Sequence, residues 1–137
     1  MKTLYNKFCW LALGLLLVAA PACSAKFDKT GLDNVTNLST ALSDLMGKAA
    51  TSKFSAQSDA IKKVSADLDK AVQHAAGKKK NKEVAEAWKT MQNDLVNPFL
   101  DRWKEKGMLD KDFVKESTAQ VTKSLDAIKK AEMAKKK

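Results

Sequence analysis

Residues 82–106 read KEVAEAWKTMQNDLVNPFLDRWKEK, and their periodicity decides the fold class. Val84, Trp88, Met91, Leu95, Phe99 and Trp103 recur at steps of three and four, which places them on one face of a helix and fits no strand alternation. Glu83 and Glu86 put negative charge in the first turn, and Lys104 and Lys106 put positive charge in the last, as the helix dipole favours. Asn81 stands where a side-chain oxygen can accept from the orphan N–H groups, and Gly107 stands where a helix commonly closes. Pro98 removes the donor that would meet the carbonyl of Asp94. The apolar face runs on through Phe99 to Trp103, so the spacing predicts a kinked helix and not a broken one.

Outward from this segment the same grammar repeats. Gly47, Gly77 and Gly107 are each 30 residues apart, and each is a candidate helix stop. Before Gly47, Leu32, Val35, Leu38, Leu42 and Leu45 keep helical spacing, and after it come Phe54, Ile61, Val64, Leu68, Ala71 and Ala75. Beyond Gly107 the face is Phe113, Val114, Val121, Leu125 and Ile128. Asp33, Ser52, Asn81 and Asp110 are the candidate caps. Short connections favour antiparallel neighbours, so the reading is all-α, an up-down-up-down antiparallel four-helix bundle. A three-helix core with a loose first helix is the alternative.

The chain opens differently. Lys2 and Lys7 precede a run from Phe8 to Ala20 without charge, followed by the small-residue stretch Pro21–Ala25. That order is the pattern of a secretory signal peptide, and the run is too short for a permanent membrane span. Residues 1–25 are therefore read as a cleaved leader and residues 26–137 as a helical domain with a lysine-rich tail. Export places the protein in the periplasm or outside the cell. Cys23 after Ala20-Pro21-Ala22 offers a second outcome, acylation of its thiol and a membrane-anchored lipoprotein.

Composition narrows the chemistry. The 137 residues carry a net charge of +9, with one His and two Cys, and both cysteines fall in the leader. No zinc ligand set, activated nucleophile or matched acid–base pair is present in the sequence pattern, so the reading is a non-enzymatic protein that needs no cofactor. Asp94, Asp101, Glu105 and Asp110 match no calcium loop or carboxylate pair. His74 and Met133 are the one pair that could ligate haem iron if brought to one level, which keeps a haem or metal carrier as an alternative class. Trp88, Phe99 and Trp103 serve as core filling, or as a binding groove if the Pro98 bend parts the helices.

Thr90-Met91-Gln92 with Leu95, and their distance from the last helix, resemble the small photosystem II assembly lipoproteins of cyanobacteria, which are exported four-helix bundles of similar length. The chain departs from them at Pro21 and in carrying Lys62, Lys63 and Lys70 in its second helix. The resemblance implies a lipid-anchored assembly factor and carries no site residues.

Charge supplies the leading functional reading. Loss of Lys2 and Lys7 with the leader leaves 23 basic and 16 acidic residues, net +7. Lys78, Lys79, Lys80 and Lys82 occupy the second connection, and Lys129, Lys130, Lys135, Lys136 and Lys137 close the last helix and tail. In an up-down bundle these nine lysines share one pole, with Lys26 and Lys29 nearby. Such a pole is either a solvated end or a dock for an anionic partner: lipid headgroups, an acidic glycan or an acidic protein face. Nucleic acid is disfavoured, because no aromatic residue interleaves the lysines for base stacking.

Overall fold

The computed structural model describes residues 25–135, and every regular element in it is helical. Helix α1 spans Lys29–Gly47 and is followed by 3₁₀ turns at Lys48–Ala50 and Phe54–Gln57. Helix α2 spans Ser58–Ala76. Helix α3 is continuous but built of three segments: α-helical Lys82–Thr90, a π-helical stretch Met91–Val96, and α-helical Asn97–Lys106. Helix α4 spans Lys111–Met133. The expected leader, with Cys23, and the tail residues Lys136 and Lys137 lie outside the described residues, apart from Ala25.

The apolar faces read from the sequence form one core. The buried stripe of α1 is Gly31, Val35, Leu38, Leu42 and Leu45, with Met46 buried beside its end, and that of α2 is Ile61, Val64, Leu68, Ala71 and Ala75. Both sets alternate steps of three and four, the repeat that keeps one stripe facing a neighbouring helix. Helix α1 packs chiefly on α4, and α2 lies against both α1 and α3. The α4 face interleaves Val114, Val121 and Ile128 with the small residues Ser117, Ser124 and Ala131. Small side chains let α1 approach closely, and the Ser124 hydroxyl satisfies itself locally by donating to the Gln120 carbonyl at 3.1 Å.

Where the sequence predicts a kink at Pro98, the helix changes type just ahead of it. The Asn97 N–H donates to the carbonyl of Gln92, five residues back, and helical backbone runs on both sides. The wider turn takes in one extra residue just ahead of Pro98, whose backbone nitrogen cannot donate. This also sets the register. Val84, Trp88, Met91 and Leu95 follow the same alternation as the other helices, which next calls for positions 98 and 102. The extra residue moves the face on by one, so Phe99 and Trp103 are buried in place of Pro98 and Arg102. Trp88, Phe99 and Trp103 are all fully enclosed, so the aromatic stripe is core and not an open groove. Phe99 stacks on Phe113 and meets Trp103 edge-on, and the Arg102 guanidinium covers the outer ring of Phe113 at 4.5 Å.

Helix ends depart from the sequence expectations at several residues. Asp33 does not cap α1; the helix begins at Lys29, and Asp33 pairs with the Lys29 ammonium at 2.7 Å. Ser52 precedes a 3₁₀ turn and accepts from the Gln57 amide at 3.1 Å instead of capping α2. Gly47 and Gly77 stay right-handed, and of the three glycine stops only Gly107, at φ +81°, uses the freedom that glycine has. Asp110 caps α4 as expected, accepting from the N–H groups of Asp112 and Phe113.

Main-chain bonds tie one end of the molecule. Leu109 N–H donates to Ala49 at 2.8 Å and Phe54 N–H to Gly107 at 3.1 Å, joining the α1–α2 and α3–α4 connections. The Trp103 indole N–H adds a bond to the Ser52 carbonyl at 3.0 Å. Separate contacts join the start of α1 to the last turn of α2, through Asp28 and His74, and bring Gly31 beside Glu132 of α4.

Candidate site at the basic pole

Residues 77–81, the turn between α2 and α3, and residues 25–28 ahead of α1 line a cavity of about 600 Å³, closed on another side by Lys135. That volume is within the range of small-ligand pockets. Lys26, Lys78, Lys79 and Lys80 are exposed along it, and Asp28 is the acidic residue in its lining. The turn is tight. Lys80 adopts φ +56°, a left-handed conformation that costs an L side chain about 1–2 kcal/mol.

Asn81 holds the N-cap position of α3 but makes no capping bond. Its Nδ2 turns back and donates to the Ala75 carbonyl at 2.9 Å, closing the end of α2. The residue is 3% exposed, and its Oδ1 is buried without a hydrogen-bond partner. The first N–H groups of α3 are thereby left without a side-chain acceptor from Asn81, at the positive end of the helix dipole.

Beneath the lysines lies a charged layer that periodicity alone does not announce. His74 Nε2 meets Asp28 Oδ2 at 2.5 Å, linking the end of α2 to the entry of α1. Burial pushes the Asp28 carboxyl up, but the His74 bond, the Gly31 N–H and the nearby charges of His74 and Lys78 outweigh it and hold the group below its ordinary range. Glu132 and Lys135 pair at 2.7 Å with both side chains almost fully enclosed. Gly31 is the small residue that makes room for this layer: a Cβ there would stand 2.9 Å from Glu132 Oε2 and 3.1 Å from Asp28 Oδ2.

The nine lysines expected at this pole divide accordingly. Lys78, Lys79 and Lys80 line the cavity, and Lys82 is exposed at the first residue of α3. Lys129 is half-buried and Lys130 exposed on the last turns of α4, away from the cavity lining. Lys135 corrects the expectation of an open basic tail: it is 4% exposed and spends its charge on Glu132. Lys136 and Lys137 lie outside the described residues. Lys26, named only as a neighbour, belongs to the lining.

The other sequence candidates are placed elsewhere. His74 is engaged with Asp28, while Met133 is 62% exposed at the end of α4. Among the described residues no three His, Cys, Asp or Glu side chains are grouped to hold a metal ion, and no helix is long and apolar enough to cross a membrane. Comparison with protein-family models, curated proteins and solved structures finds no match to this chain. Met91, within the Thr90-Met91-Gln92 likeness to the photosystem II lipoproteins, is a core residue at the start of the π segment.

Proposed function

We propose that the protein is an exported, non-enzymatic binding module that docks through its basic pole on an anionic surface of the cell envelope. The observation that carries this reading is the convergence of Lys26 with Lys78, Lys79 and Lys80, from separate segments, on one cavity. An up-down-up-down antiparallel order supports it: Asp28 meets His74 and Gly31 abuts Glu132 at one end, while Ala49 meets Leu109 and Phe54 meets Gly107 at the other. Such an order brings the mature N-terminus, the second connection and the C-terminus to the same pole. A leader ending near Ala25 would deliver the domain to the envelope with these residues at its free end. Docking in this reading is electrostatic, so affinity follows the number of lysines that reach the surface.

The test is binding to vesicles containing anionic phospholipid, set against neutral vesicles, across a salt series. Binding should be confined to the anionic vesicles and fall steeply as salt rises. Replacing Lys78, Lys79, Lys80 and Lys82 with Gln should weaken it about fivefold for each lysine that reaches the surface, or about 1 kcal/mol each. A parent protein that ignores anionic vesicles at low salt refutes the reading.

A further inference from the structure

We infer that the cavity at the basic pole is a site for a polyol phosphate, the chemistry of a glycerophosphate headgroup, with the phosphate on the lysine turn and a hydroxyl on Asn81. The inference rests on the anionic-surface reading and gives it a ligand.

Two features call for different halves of such a ligand. Lys26, Lys78, Lys79 and Lys80 surround the cavity with ammonium groups, and the α3 N-terminus beside them lacks a side-chain cap because Asn81 has turned to Ala75. Both favour a compact, doubly charged oxyanion. Asn81 Oδ1 makes the opposite demand. It is a buried acceptor without a donor, on a residue that lines the same cavity. A dianionic phosphate monoester cannot satisfy it through its phosphate, since those oxygens carry no proton and only accept, whereas a hydroxyl one or two carbons from the phosphate donates. An unpaired buried acceptor is costly, so filling it discriminates between ligands as well as adding affinity. Oδ1 itself has almost no exposed surface, so the 77–81 turn must shift for a ligand hydroxyl to reach it. The left-handed Lys80 keeps the turn in this arrangement at a cost in backbone energy.

The experiment is an amide NMR titration of the chain as recovered from an exporting host, at mildly alkaline pH, using glycerol 3-phosphate, methyl phosphate and glycerol as separate probes. Glycerol 3-phosphate should shift the amide signals of residues 78–84 saturably and bind at least about fivefold more tightly than methyl phosphate, with glycerol alone inert. Lys78→Gln with Lys80→Gln should weaken both phosphate probes by at least about fivefold. Asn81→Ser supplies a good helix cap and preserves the fold, yet removes the buried acceptor; it should abolish the preference for glycerol 3-phosphate over methyl phosphate. Vesicles distinguish the source of the headgroup: phosphatidylglycerol held more tightly than equally charged phosphatidylserine marks the lipid, and equal retention with glycerol 3-phosphate binding intact marks a free polyol phosphate. Equal affinity for both phosphate probes, or no saturable shift at residues 78–84, overturns the inference. If that happens while anionic vesicles still bind, the surface reading stands and only the pocket falls. If glycerol 3-phosphate binds but no vesicle does, the surface reading falls and the pocket stands.

Discussion

Asp28 and His74 are 46 residues apart in the chain, yet their side chains meet at 2.5 Å and join the entry of α1 to the last turn of α2. The carboxyl is held below its ordinary range despite its burial, so ionised Asp28 is favoured by folding. A lowered pKa in the folded state gives stability that is complete above the unfolded value of about 3.9 and disappears as pH falls through the folded value.

Asp28→Asn should therefore cost about 1–2 kcal/mol at neutral pH and make the loss of stability below about pH 4 shallower than in the parent. Chemical denaturation at stepped pH measures both. The comparison is Asp67, also held low, first by its bond to Lys63. That pair is exposed, so Asp67→Asn should move stability by no more than about 0.5 kcal/mol, with the effect vanishing in salt. Equal acid limbs for parent and Asp28→Asn would remove the linkage.

Gly31→Ala tests the buried charge layer. Helix propensity alone would favour alanine by about 1 kcal/mol, but the new methyl would fall 2.9 Å from a carboxylate oxygen already paired with Lys135. The substitution should instead destabilise by about 1–2 kcal/mol. Combining it with Glu132→Ala removes the obstacle, so a double-mutant cycle should show a coupling of at least about 1 kcal/mol. Additive effects would mean that Glu132 is not what excludes the methyl.

The π segment yields a sharper test than proline removal alone. Pro98→Ala should leave stability within about 1 kcal/mol, because Phe99 and Trp103 still require the extra residue to reach the core. Deleting the exposed Asn93 together with Pro98→Ala should give an unbroken α-helix with both aromatics still buried, read as blue-shifted tryptophan emission and retained helicity. Deleting Asn93 while keeping Pro98 forces proline into a regular α-helix and should be the less stable of the two by about 3 kcal/mol. Equal stability of the two deletions would show that the wide turn does not accommodate the proline.

Lys80→Gly should raise stability by up to about 1 kcal/mol, since glycine accepts the left-handed conformation that lysine occupies under strain. Lys80→Gln keeps the strain and should leave the melting temperature unchanged. Both remove the same charge, so both should weaken anionic binding equally. Measuring melting and binding on the same two variants separates conformation from charge.

Most of the core was legible in the sequence because burial follows helical period. Val35, Leu68, Trp88 and Ile128 are enclosed where the three–four spacing puts them. The spacing also held a signal for the charged layer: continued past Ile128, it reaches Ala131 and Lys135, which are both buried. Residue type argued the other way, since lysine rarely goes inside without a partner, and the partner Glu132 is visible only once the helix is built. Local competition explains the misplaced caps. Asp33 has Lys29 one turn earlier, and Asn81 serves the end of α2 in preference to the start of α3. The π turn left a trace as well, in the two successive steps of four from Leu95 to Phe99 and Trp103, but Pro98 drew the reading toward a kink.

The main-chain ties from Leu109 to Ala49 and from Phe54 to Gly107 give the molecule unequal ends in time as well as in space. Bonds of that kind neither titrate nor respond to salt. The basic pole is held in part by the Asp28 carboxylate on His74, and folding favours the ionised form of that carboxyl. Acid should therefore loosen the pole while the far end stays closed, so that amide exchange quickens near Gly31 and Asn81 before it does at Phe54 and Leu109. The end that carries the exposed lysines is then the first to open in acid, and the aromatic end the last.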